Sequence, residues 1–162
     1  MKKYIVFTIA VSLFFVACNS KKEMTPADFN ETVVNMEQSL EEPLLKAEAE
    51  IKVRSDRQNW KGMSESAKSI EDSINVRLKK IEQMPAVGVG GEDFKLVAKR
   101  YFEYMKGIYT SYAEIANAKD DAGREEASKK MQNMLASQPE VIQNMQASQL
   151  KYARENGFVI EE

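Results

Sequence analysis

The chain reads as all-α, an antiparallel four-helix bundle of up-down-up-down order. Three observations predict it. Apolar residues recur at steps of three and four over four long stretches. No stretch beyond the N-terminal run alternates like a strand or signals a hairpin. Charged residues make up 30% of the chain and glycines number only seven, a profile of long amphipathic helices. Such helices are unstable alone, so burying their apolar stripes against one another must drive folding.

The N-terminus is organised differently. Lys2 and Lys3 precede an apolar run from Tyr4 to Ala17, which ends at Cys18, the only cysteine. A charged start followed by a short apolar stretch reads as a secretory signal. The run falls short of the roughly 20 apolar residues a spanning helix needs. Residues 1–17 are therefore the expected signal peptide, 18–24 a polar tether and 25–162 the helical domain.

The first helix starts at Thr25-Pro26-Ala27-Asp28, where threonine caps, proline takes the first position and aspartate meets the positive dipole end. Its stripe is Phe29, Val33, Met36, Leu40, Leu44, Ala47 and Ile51. Pro43 removes one ladder hydrogen bond, and the unbroken phase predicts a kinked helix rather than two. Ser55 or Asp56 is expected to cap the second helix, with stripe Trp60, Met63, Ala67, Ile70, Ile74, Leu78 and Ile81. Trp60 is expected to plug one end of the bundle. Met84-Pro85 ends this helix and the glycine-rich loop Ala86 to Gly91 reverses the chain.

The third helix begins near Glu92 or Asp93 with stripe Phe94, Val97, Tyr101, Tyr104, Ile108, Tyr112 and Ile115, widened by Leu96, Phe102, Met105 and Tyr109. A turn covers Ala118 to Gly123, and the fourth helix starts near Arg124. Pro139 should bend or break that helix. Asn156-Gly157 is a helix stop, with Phe158 able to fold back on the last turn.

Composition removes much chemistry. The chain has no histidine, which takes away the commonest general base at neutral pH, the serine and cysteine triads that use it, and the usual zinc sites. The acidic pairs Glu41-Glu42, Glu71-Asp72, Asp120-Asp121 and Glu125-Glu126 diverge by about 100° on a helix and do not converge on one ion. No catalytic residue, metal or cofactor is expected. Gly88, Gly90 and Gly91 lack the lysine and hydroxyl residue of a phosphate loop. A net charge of −2, more negative once Lys2 and Lys3 are removed, excludes the basic stripe of a nucleic-acid binder.

The candidate binding surface is helix three, where Tyr101, Phe102, Tyr104, Tyr109 and Tyr112 fall within twelve positions. Tyr101, Tyr104 and Tyr112 lie on the stripe and read as core. Phe102 and Tyr109 lie off its centre and are the expected exposed, ligand-binding residues. Met131, Met134 and Met145 read as core or as an adaptable groove.

Phe15-Val16-Ala17-Cys18 resembles a bacterial lipoprotein signal, although phenylalanine stands where an aliphatic residue is usual. The alternatives are an ordinary cleaved signal with an incidental cysteine and an uncleaved N-terminal anchor. The whole layout, through the closing Tyr152-Ala153-Arg154-Glu155-Asn156-Gly157-Phe158, is similar to small bacterial lipoproteins of helical-bundle type. That resemblance implies acylation of Cys18 as the first mature residue and implies no activity. Acyl chains contribute about 0.8 kcal/mol per buried CH₂, so several chains give stable anchoring. Asn19 after the cysteine suggests the outer membrane, and Lys21-Lys22-Glu23 is compatible with a periplasmic orientation as well as with surface display. The expected role is a lipid-anchored cell-envelope binding or structural module, its partners the membrane and an envelope protein or ligand. The alternatives are a surface adhesin or host-factor binder and, more distantly, a carboxylate-dependent enzyme.

Overall fold

The computed structural model describes residues 23–159; the expected signal peptide, Cys18 and the start of the expected tether lie outside the described residues. The described chain is all-helical, with α1 Pro26–Asp56, α2 Trp60–Gln83, α3 Gly91–Asn117, α4 Asp121–Ala136 and α5 Gln138–Asn156.

The start of α1 is the capping box expected at Thr25. Its hydroxyl accepts from the Asp28 N–H at 3.1 Å, and the Thr25 N–H donates to the Asp28 carboxylate at 3.0 Å. The helix runs as one element through Pro43, which lies with Ser39 on its exposed side. Ser55 and Asp56 form its last turn, so neither caps α2. Asn59 does, accepting from the Gly62 N–H at 3.1 Å. The Arg54 guanidinium holds the last turn of α1 by donating to the Gly62 carbonyl at 2.9 Å.

The expected fourth helix is two segments. Pro139 has no N–H for the Leu135 carbonyl, and its ring crowds that turn. The chain leaves the helix at Ser137 and restarts, with Pro139 in the opening turn of α5, where the missing donor costs nothing. The Met134 carbonyl accepts from the Ser137 N–H at 3.0 Å, the Ser137 hydroxyl at 2.7 Å and the Tyr104 hydroxyl at 3.2 Å. The break is thus tied to α3. At the other end of this region α4 starts at Asp121, earlier than expected, because the Asp120 side chain caps it through the Gly123 N–H at 2.8 Å.

α5 closes in a Schellman motif: Gly157 adopts φ 70°, its N–H reaches the Arg154 carbonyl, and the Phe158 N–H reaches the Ala153 carbonyl at 3.1 Å. Phe158 folds back onto Tyr152, with ring centroids 5.8 Å apart.

Between helices, contacts run in a regular order. Along α1 and α2, Ser39 meets Arg77, Glu50 meets Ser66 and Arg54 meets Gly62. Glu82 meets Lys99, Glu71 meets Lys106 and Ser64 meets Asn117 along α2 and α3. α3 is the central element. It packs on α2, α4 and α5 and more lightly on α1, whereas α1 meets α5 and has no close approach to α4. The core runs through Phe29, Val33, Leu40, Ala67, Ile74, Ile81, Phe94, Ala98, Phe102 and Tyr152, all fully or almost fully buried.

Candidate functional site

The two residues expected to face a ligand face the core. Phe102 is 0% exposed and Tyr109 is 3% exposed. The buried face of α3 is Phe94, Ala98, Phe102, Tyr109 and Ala116, rotated from the expected stripe. Tyr101, Tyr104 and Tyr112, expected in the core, are half-buried shoulders. The reason is the central position of α3. A helix with neighbours on several sides buries more than one stripe, and small Ala98 and Ala116, which carry little hydrophobic signal, let other helices approach.

The tyrosine hydroxyls are held by named partners. Tyr101 donates to Glu37 of α1 at 2.5 Å and Tyr109 to Glu48 at 3.3 Å. Burial first, then hydrogen bonding and the carboxylate charge of Glu37, push the Tyr101 hydroxyl well above its ordinary range. Burial and then Glu48 do the same for Tyr109. Tyr112 is raised by burial and by Glu48, Tyr152 by burial. These phenols are neutral donors at physiological pH. Tyr101 and Tyr109 cross-link α3 to α1 through Glu37 and Glu48.

The acidic pairs sit apart. Asp72 pairs with Lys68 at 3.3 Å, Glu125 with Lys129 at 2.6 Å and Glu126 with Lys130 at 2.9 Å, each within one helix. Among the described residues no group of three or more acidic or cysteine side chains could hold a metal ion. Met131 and Met145 are buried and Met134 is half-buried against Gly107, where an added Cβ would stand 3.1 Å from the Met134 sulfur. The methionines fill the interfaces of α4 and α5 with their neighbours.

Open grooves remain between helices. One lies between α1 and α2, where Lys46, Glu50, Arg54, Ser66 and Ser69 line a polar surface and Ser66 donates to Glu50 at 2.8 Å. Another has Ile51, Met63 and Tyr112 as its floor and Glu48, Lys52 and Asp56 at its edge. Trp60 is half-buried and carries the Arg124 guanidinium 4.8 Å above its ring, so it closes the end where α2 and α4 begin.

The opposite end is built from three distant segments. Phe29, Phe94 and Tyr152 pack ring to ring, Phe94 stacked on Tyr152 at 4.8 Å and Phe29 edge-on to both at 5.8 and 5.9 Å. The Tyr152 hydroxyl donates to the Val87 carbonyl at 2.5 Å. The Asn156 amide pairs with Val89 as another strand would, accepting from its N–H at 2.9 Å and donating to its carbonyl at 2.9 Å. Gly88 sits between them at φ 75°, and a Cβ there would stand 2.2 Å from the Asn156 oxygen and 2.8 Å from Pro26. The glycine-rich loop is thus a docked turn held by α5. Asn156 reads in the sequence only as a helix stop, because nothing local signals a bond to residue 89. No family model matches the chain, and no curated protein and no solved structure is similar to it. No described helix is long and apolar enough to cross a membrane.

Proposed function

We propose that this chain is a lipid-anchored module of the bacterial cell envelope, held at the bilayer through acylated Cys18 and acting by binding or by structural support. The observation that carries the reading is the position of the first helix. Its capping box closes at Thr25, seven positions after Cys18, so a short polar tether joins the lipid site directly to a packed helical body. The body is read as an up-down-up-down bundle of four legs, α4 and α5 forming one leg broken at Ser137; the opposed order of contacts between neighbouring helices supports this. A non-catalytic role is supported by the use of the tyrosines as protonated donors and by the lack of histidine. The half-buried shoulder of α3, with Tyr101, Ile108 and Tyr112 beside the Glu37 and Glu48 carboxylates, is the surface that an envelope partner would meet.

Two measurements test this. Intact mass of the protein isolated from cell envelopes should show the loss of residues 1–17 and the addition of acyl chains, both abolished by Cys18→Ser. Affinity capture from envelope extracts should recover a partner with the acylated protein, reduced by Tyr112→Ala. An unmodified thiol at Cys18 would overturn the reading.

A further inference from the structure

We infer that the end of the molecule from which the tether leaves is a membrane-seating surface, its apolar tips Val89 and Val159 resting in the interfacial region of the phospholipid bilayer. The inference rests on the lipid anchor proposed above. Three segments converge there: Met24 to Phe29, the α2–α3 loop and the chain after α5. The loop Met84 to Gly91 carries no charged residue. Val89 is 62% exposed at its tip and Val159 is 89% exposed beyond the Schellman turn. Val89 is displayed although its backbone is pinned by Asn156 and the neighbouring Val87 carbonyl is held by Tyr152, so its display is rigid.

The occupant follows from the tether. The segment from Cys18 to Thr25 spans at most about 25 Å when fully extended. Acyl chains on Cys18 therefore hold this end, and not the other, within that distance of the headgroups. Lys21 and Lys22 lie in the tether and are attracted to anionic lipid. The far end cannot serve: α2 alone separates it from the loop by about 36 Å, beyond the reach of the tether. Apolar tips on a rigid base add a second weak contact to the lipid anchor and orient the body upright, with the α3 shoulder facing sideways.

The test uses the full-length lipoprotein, purified in acylated form and reconstituted into phosphatidylethanolamine–phosphatidylglycerol vesicles with brominated acyl chains. Native Trp60 reports the far end. Val89→Trp and, separately, Val159→Trp in a Trp60→Phe background report the tether end, with helicity checked by circular dichroism. The seated arrangement gives a blue shift and a loss of emission for the tether-end tryptophans and neither for Trp60. Emission from all three that lipid leaves unchanged, with acylation verified by intact mass, overturns the seating and leaves the anchor standing. A blue shift that depends on protein concentration and not on lipid assigns the surface to a second copy of the chain and overturns the inference. A product lacking acyl chains overturns both readings.

Discussion

The two ends of the helices are closed by different physics. At the tether end, Phe29, Phe94 and Tyr152 form a packed aromatic cluster, and an uncharged loop is tied to it by Asn156 and Tyr152. At the far end, short charged turns are closed by side-chain caps: Asn59 on α2, Asp120 on α4, and Arg124 over Trp60. The first end buries aromatic surface contributed by α1, α3 and α5. The second satisfies helix termini with water at hand. Burial of this kind is worth several times a cap, because each ring removes a large apolar area from water whereas a cap exchanges one hydrogen bond with solvent for another.

Phe94→Ala should therefore cost most, about 4 kcal/mol, by leaving a cavity between Phe29 and Tyr152. Urea unfolding followed by circular dichroism measures it. Gly88→Ala should follow, at about 3 kcal/mol, since alanine is strained at positive φ and displaces the Asn156 amide from Val89. Loss of protection at the Val89 amide in hydrogen exchange would locate the damage in the loop.

The tyrosines between the ends give a pH signature. Burial and Glu48 raise the Tyr109 hydroxyl above its ordinary value of 10.0. Below that value both folded and unfolded chains keep the proton. Above it the unfolded chain ionises first, so stability falls as pH rises toward the folded value, by up to about 1.4 kcal/mol per pH unit for a single fully protected tyrosine. Urea midpoints should be flat below pH 10 on this account and fall above it, less steeply in Tyr109→Phe. A fall of equal slope in that variant would remove Tyr109 from the explanation.

Asp120→Ala should be the mildest, about 1 kcal/mol from the lost cap of α4. If it matched Phe94→Ala, the contrast between an apolar end and a capped end would fail. If Arg124→Ala added to it without coupling, the cap and the cation over Trp60 would be shown to act independently at the far end.

The capping box at Thr25, the Gly157 stop and the return of Phe158 are legible in the residues because each depends only on neighbours within five positions. So is the disruption at Pro139, where a missing N–H acts on its own turn. The candidate site was much less legible. Phe102 and Tyr109 read as exposed when α3 is imagined with one partner; placing α3 among α1, α2, α4 and α5 buries them and brings Tyr101 and Tyr112 to the shoulders.

Local pattern alone determined that the described chain is helical and where most of its helices begin and end. Tertiary structure decided which side of α3 is interior, that the last turn of α1 is tied to α2 where Arg54 reaches Gly62, and that Asn156 pairs with a loop 67 positions away. The reason is range. A helix and its caps are set by bonds to the adjacent turn, whereas the direction a helix face points is set by whichever neighbours bury it.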